Sequence, residues 1–384
     1  MSFAAEGSLE RRRSPGSAPP ASCLRCMPDS LETRRACLMR IENPQSILVI
    51  KLRYIGDVVL STPVLSRLRE GFPKARITML VNAGTEEVVQ GHPALDEVLI
   101  VGRGSMPGQW RMLADLRRRR FDLVVDLTDA DRSAILSWLS GAPTRVGYNS
   151  ENRWRGRLYT DIVQADRFGM HTVHYHLAAV KELGLAGRAS DPDITVGRDA
   201  RKAAERLLQE AQIERDRPFV CLHPGARWWF KAWPGERFAA LADRIQTKAQ
   251  TQVLLLGGDQ DRQVVREIGT AMMTPCRSLA GRTRLQEAAA VLERATLMVS
   301  NDNGPMHIAA AVGTRVVGLF GPSDPAVWGP CGVGHRIFYK QLDCRSCFHP
   351  DCFRGDENCM RLISLDEVWQ TVWNLLQEKS CRKN

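Results

Sequence analysis

SNDNGPMHIAAAVGTRVVGLFG, residues 300–321, decides the architecture. It reads as strand, loop, helix and strand. The first strand spans 296–300 and the loop 301–305. Pro305 stands where a first-turn proline is tolerated, because the N–H it lacks would be unpaired anyway. MHIAAAV is helical by composition and stops at Gly313, and 315–320 is the next strand. A helix N-terminus facing the carboxyl end of a parallel strand offers free N–H groups and a partial positive charge. A phosphate or a nucleotide diphosphate binds at such a place, and Asp302 and His307 would flank it. Singly, Asp302 reads as a helix cap and His307 as a satisfied core histidine. Their setting together in one glycine-bearing turn favours function.

The same alternation extends in both directions. Upstream, strands are predicted at 219–223, 252–257 and 276–279, with helices at 201–212, 234–247, 261–272 and 285–294. The first half carries strands at 46–51, 76–81, 97–101 and 121–126 and a short one at 145–146. Its helices fall at 58–70, 85–90, 110–119, 132–140 and 174–183. Such alternation means parallel sheets covered by helices on both faces. The fold class is α/β, with two Rossmann-like, doubly wound domains facing a central cleft, and ligands at the carboxyl ends of the strands. Residues 44–187 form the first domain, 188–215 a linker and helix, and 216–363 the second domain with a Cys-rich loop at 344–359. Residues 364–384 hold a last helix, with Leu365, Val368, Trp369, Val372, Leu375 and Leu376 on its apolar side, able to pack back on the first domain. Residues 1–43, rich in Arg, Ser and Pro, read as a disordered basic extension.

A chain of 384 residues with 44% apolar content has material for two packed cores. No apolar run reaches membrane-spanning length, and the basic start lacks the apolar stretch of a secretory signal. The net charge of +10 suits nucleic acid, an anionic membrane surface or a phosphorylated substrate. Nucleic acid is the weakest of these, since no zinc finger, ribonucleoprotein aromatic pattern or basic helix with interleaved aromatics is present. Arg117–Arg120 reads equally as a solvated helix end. Eleven cysteines without a signal point to a reducing compartment. Cys221 and Cys276 read as buried thiols. Cys344, Cys347, Cys352 and Cys359 form C-x2-C-x4-C-x6-C, with His349 as a substitute ligand. Four thiolates so spaced can close a structural zinc or iron site, or form a loop of reduced thiols.

Three further loops carry candidates. KLRYIGDVVLSTP, residues 51–63, feeds Gly56 and then Asp57. Asp57 is either a helix N-cap or a carboxylate at the cleft mouth acting as general base. Lys51 and Arg53 hold an anionic acceptor or are surface charge. HPGARWWFKAWPGERF, residues 223–238, places Lys231 before a helix start, where it can neutralise a diphosphate leaving group or be a solvent lysine. Its run Trp228, Trp229, Phe230 is packing, a lid or a sugar-stacking face. LLLGGDQD, residues 254–261, ends a strand in two glycines that permit close ligand approach. Asp259 or Asp261 then caps the next helix or contacts a base or ribose. No G-x-G-x-x-G and no Walker A sequence is present, which disfavours a dehydrogenase.

Five stretches together resemble the lipopolysaccharide heptosyltransferases, glycosyltransferase family 9 with the GT-B fold. They are ILVIKLRYIGDVVLSTPVLSRL (47–68), RSAILSWLSGAPTRVGY (132–148), the 223–238 and 254–261 segments, and SNDNGPMHIAAAVGTRVVGLFGPSDPAVWGP (300–330). The KLRYIGD loop looks most like the branch that adds the third heptose of the inner core. The resemblance implies inverting transfer from ADP-L-glycero-D-manno-heptose to the phosphorylated lipid A-core. It implies Asp57 as catalytic base and Lys231 on the donor diphosphate. Asp302, Asn303, Gly304 and His307 correspond to the donor motif, with Asn303 where other members often carry Thr or Ser. Asp259 or Asp261 would meet the nucleoside. Lys51, Arg53, Arg132 and Arg145 would contact the acceptor. The implied setting is cytoplasmic and peripheral on the inner membrane, with no cofactor required for catalysis and no nucleic acid. One rival keeps the fold but heptosylates protein hydroxyls and carries cysteine-bound iron. Another is a non-catalytic nucleotide-sugar-binding protein.

Overall fold

The computed structural model describes residues 43–102, 106–185, 187, 190–344 and 352–380. The predicted extension at 1–43 lies outside them except for its last residue.

SILVIK opens the fold because a run of β-branched and aliphatic residues suits a strand buried on both faces. In the first half, β1 (Ser46–Lys51) leads to helices α1 (Ile55–Val59) and α2 (Thr62–Gly71) and then β2 (Arg76–Asn82) and β3 (Glu97–Val101). Helix α3 (Met106–Arg118), β4 (Leu123–Asp126), α4 (Asp131–Leu139), β5 (Thr144–Gly147), β6 (Asp161–Ile162) and α5 (Thr172–Lys181) follow. Helix α6 (Arg198–Glu210) links to the second half. That half contains β7 (Phe219–His223), α7 (Gly235–Thr247), β8 (Gln252–Leu255), α8 (Arg262–Ala271), α9 (Leu285–Arg294) and β9 (Leu297–Asn301). It ends with α10 (Gly304–Ala311), β10 (Arg315–Phe320), α11 (Pro325–Trp328), β11 (Arg336–Tyr339) and α12 (Leu365–Ser380).

The strands form a six-stranded sheet, β3-β2-β1-β4-β5-β6, and a five-stranded one, β11-β10-β9-β7-β8. Every pairing in both is parallel. The winding direction reverses between β1 and β4 and again between β7 and β9. At such a switch point the loops leaving adjacent strands diverge and open a crevice. That is why the loops after β1, β4, β7 and β9 carry most of the candidate residues.

Local departures from the sequence reading have local causes. The single helix expected at 58–70 is two helices. Pro63 has no N–H for the Val59 carbonyl, which instead accepts from Thr62 Oγ1 at 2.9 Å. The expected helix at 85–90 is a 3₁₀ turn at Glu86–Val88. The expected strand at 276–279 is one isolated bridge, Leu255 to Ser278. Cys276 is exposed, not buried, whereas Cys221 is buried in β7.

The last helix does not return to the first half. Val368, Val372 and Leu375 of α12 share one core with Val220, Phe238 and Leu241. Trp233 Nε1 donates to the Ile363 carbonyl at 2.8 Å, and Arg244 pairs with Asp366 at 2.5 Å. The apolar stripe of α12 finds its partner on α7 of its own half. Helix α6 lies against α9, with Ala204 and Leu208 buried and Arg201 bonded to both carboxylate oxygens of Glu293.

Candidate active site

The loops at the switch points enclose a cleft of about 1290 Å³, lined from both halves. Its floor is a close contact between α1 and α10. A Cβ on Gly56 would stand 2.7 Å from His307 Cδ2. One on Gly304 would stand 3.0 Å from Ile55 Cβ and 3.3 Å from the Gly56 nitrogen. A Cβ at Gly56 would come closer to the His307 ring than real Cβ atoms do, and one at Gly304 would force its neighbours to give by a few tenths of an ångström, so glycine at both positions lets the two helices meet.

On the second-half side, Asn303 is the N-cap of α10. Its Oδ1 accepts from Met306 N at 3.2 Å. Its Nδ2 reaches the Gly225 carbonyl at 2.8 Å and His223 Nδ1 at 2.9 Å, bracing the loop after β7. Asn301, which the sequence reading missed, braces the same loop from the end of β9. It accepts from Trp233 N at 3.1 Å and donates to the Pro224 carbonyl at 2.7 Å. Lys231, so positioned, donates to Asp302 Oδ2 at 2.6 Å. His307 is buried, and its Nδ1 has no hydrogen-bond partner. Burial lowers its pKa to about 4, with Asp302 and Asp57 opposing. The ring is therefore neutral at ordinary pH.

The alternative between Asp259 and Asp261 is separated by burial. Asp261 is 6% exposed and lines the cleft. It accepts from Gly258 N at 2.8 Å, lies 3.7 Å from His223 Nε2, and is flanked by Gly225 and Gly257. Asp259 is 84% exposed, pairs with Arg262, and stands outside the cleft lining.

On the first-half side, Asp57 lines the cleft from within α1, whose N-cap is Tyr54. The N-cap alternative for Asp57 is thereby removed. Arg53 and Arg132 also line the cleft. Arg53 is held by the carbonyls of Thr128 at 3.3 Å and Asp129 at 3.5 Å. Beneath them, buried Arg155 gathers Asp129, Asp131 and Glu151 at 2.8, 3.1 and 2.9 Å, which fixes the loop entering α4.

Two expected acceptor contacts are placed elsewhere. Lys51 is 3% exposed, below the cleft floor, because it is the last residue of a fully covered strand. Arg145 gives its guanidinium to the carbonyls of Leu158 at 2.8 Å and Ala142 at 2.5 Å, away from the lining. Charge type marks both as partners for an anion, and charge type does not reveal direction.

The aromatic run is divided. Trp228 lines the cleft and stacks on Phe230. Arg227, unremarked in the sequence, lies over the Tyr54 ring at 3.7 Å and joins the two walls. The halves also meet where Glu87 accepts from Arg284 Nε at 2.8 Å and Gln286 N at 3.1 Å. On the other side, Thr172 donates to the Val327 carbonyl at 2.9 Å and His171 to that of Gly329 at 3.0 Å.

Cys347 and His349 of the thiol cluster lie outside the described residues. Cys344 accepts from Arg354 Nε at 2.9 Å, and Cys359 packs against the second core. Among the described residues no three His, Cys, Asp or Glu side chains are placed to hold a metal.

Two carboxylates, a lysine and a neutral histidine thus converge where a short helix and a longer helix terminus meet. Comparison with known proteins gives this arrangement a family. "Glycosyltransferase family 9 (heptosyltransferase)" matches residues 109–356. The chain belongs to that family. It is an α/β glycosyltransferase of GT-B architecture that moves heptosyl groups. Lipopolysaccharide heptosyltransferase 3 of Escherichia coli K12 is 31% identical over 73% of this chain and 83% of its own length. The glycosyltransferase family 9 structure from Veillonella parvula is similar at TM-score 0.78 and 24% identity, over 88% of this chain and 98% of that one. The structure of E. coli ADP-heptose lps heptosyltransferase II is similar at TM-score 0.73 and 24% identity, covering 87% and 99%.

Proposed function

We propose that this family 9 glycosyltransferase moves heptose from ADP-L-glycero-D-manno-heptose to the phosphorylated inner core of lipopolysaccharide, with inversion, as a peripheral protein on the inner face of the cytoplasmic membrane. The observation that carries the reading is the juxtaposition of Asp57 on one wall with Lys231, Asp302 and the N-terminus of α10 on the other. The names of the relatives supply the substrate classes.

An acceptor hydroxyl is a poor nucleophile at neutral pH, so a carboxylate within hydrogen-bond reach must take its proton. Asp57 is that base. Attack on the face opposite the leaving group inverts the anomeric carbon, which gains oxocarbenium character as ADP departs. The growing diphosphate charge is met by the Lys231 ammonium and, at the positive end of α10, by the Gly304 N–H, since Pro305 has no N–H and Met306 N is taken by Asn303. Asn303 and Asn301 hold those donors in place before reaction. Asp261, buried between Gly225 and Gly257, meets the nucleoside. Arg53 and Arg132 meet the anionic acceptor.

The membrane assignment is supported by α4. Arg132, Ile135 and Trp138 form an exposed stripe on it, with Ile135 39% and Trp138 53% exposed. The stripe runs outward from the cleft. An exposed Ile and Trp on the helix that carries Arg132 suit an anionic lipid interface. Among the described residues no helix is long and apolar enough to cross a membrane.

The test is ADP release from ADP-heptose with heptosylated core lipid, comparing wild type with Asp57→Ala. Acceptor-dependent release that collapses in the variant, with ADP-heptose still bound, supports the reading. Tight donor binding with no release on any core lipid overturns the acceptor assignment.

A further inference from the structure

Lys51 is a buried amine that touches no cleft surface, yet its Nζ stands 3.6 Å from Asp57 Oδ1. Two neutral groups hold it. Nζ donates to the Leu127 carbonyl at 2.9 Å and lies 2.8 Å from His176 Nε2. His176 Nδ1 is 3.1 Å from the Leu60 carbonyl, which can only accept. Nδ1 therefore carries the ring proton, and Nε2 accepts from Lys51. An ammonium has three donors, and the third faces Asp57.

We propose that Lys51 and His176 are positioning residues that hold the Asp57 carboxylate aimed into the cleft. The inference rests on the reading of Asp57 as the base. Helix α1 has five residues and no side-chain cap, so it cannot by itself fix a side chain. Lys51 ties it to the end of β4 through Leu127, and His176 ties Lys51 to α5. The same α5 carries Thr172, with His171 as its N-cap, and both bind the second half. The anchor of the base and a contact between the halves thus sit on one helix.

The surrounding charges are consistent with this arrangement. Lys51 also faces Arg53 from its own loop, Asp126 from β4 and Arg167 from the segment before α5. Asp57 also faces His307 of α10. Desolvation lowers the Lys51 pKa to about 8, against the pull of Asp57. Burial, with Lys51 beside it, holds His176 well below its ordinary range. A neutral His176 leaves the lysine charge answered chiefly by Asp57.

The experiment measures kcat and KM of heptosyl transfer across pH for Lys51→Met, His176→Gln, His176→Leu and Asp57→Asn. Lys51→Met is expected to lower kcat by about tenfold or more with little change in either KM, the signature of an interaction made in the transition state. Its pH–rate profile also departs from that of wild type, because the cation beside the base is gone. A glutamine amide can accept from Lys51 and donate to Leu60, so His176→Gln keeps the wild-type profile. His176→Leu fills the space without bonding and follows Lys51→Met. Wild-type kcat and profile in Lys51→Met, or identical behaviour of the two His176 variants, overturns the proposal. If Lys51→Met does not fold, the His176 pair decides. If Asp57→Asn retains transfer, the base assignment itself fails. If Asp57→Asn collapses while Lys51→Met is normal, only the positioning role fails.

Discussion

Lys231 donates to Asp302 at 2.6 Å yet remains 23% exposed, so its ammonium keeps donors directed at the cleft. A diphosphate leaving group would recruit them. Lys231→Ala is expected to lower kcat/KM by about 100- to 1000-fold, the range for removing one donor that meets developing charge. Steady-state kinetics check it, and a loss below tenfold would count against the role. His307 has a thermodynamic signature. Its pKa is about 4 when folded against 6.5 for the free side chain. Between those values the unfolded chain binds more protons, so the contribution is complete above 6.5 and is lost as pH falls towards 4. The linkage amounts to about 3 kcal/mol. Denaturant melts should show wild type weakening over that window more steeply than His307→Gln. Asp57, Lys231, Asp302 and His307 were legible in the sequence because each belongs to a strand–loop–helix turn, where spacing fixes placement. Lys51 and His176 were not legible as a pair, since 125 residues separate them and only the packing of α5 brings them together.

Helices α1 and α10 meet at backbone distance, and this contact is what brings the carboxylate of one half beside the histidine of the other. Gly304→Ala would put a methyl 3.0 Å from Ile55 Cβ and 3.3 Å from a backbone nitrogen. Such overpacking costs about 1–3 kcal/mol. The variant should fold, with a lowered melting temperature and reduced kcat, because the two helices must part. Full activity would show that their approach does not matter. Helix α12 makes a different prediction. Leu375 is 4% exposed in the second core. Leu375→Ala is expected to cost about 2–5 kcal/mol of unfolding free energy in denaturant titration. The apolar period of α12 was plain in the sequence. Its partner was not, because periodicity marks a buried face without saying what covers it. The same limit explains Arg145, whose charge pointed to an acceptor while its guanidinium closes the 142–158 loop region.

Across the whole molecule, the two sheets place most cleft-lining candidates at switch points, and α4 carries exposed Ile135 and Trp138 outward from Arg132 at the cleft. Binding to vesicles of anionic phospholipid should weaken in an Ile135→Ser, Trp138→Ser double variant and weaken further with salt. Co-sedimentation checks this, and unchanged binding would remove α4 from the interface. The alternation of strands and helices was readable throughout, because hydrophobic period is a property of the chain alone and buried parallel strands must be apolar on both faces. So were the glycines and prolines that break elements, since their backbone limits are intrinsic. What only the tertiary structure decided was direction. It turned Lys51 under the floor and Asp261 into the cleft, left Asp259 in solvent, and laid Arg227 across Tyr54. A residue's type sets what its side chain can bond to, but the meeting of two distant segments sets what it does bond to.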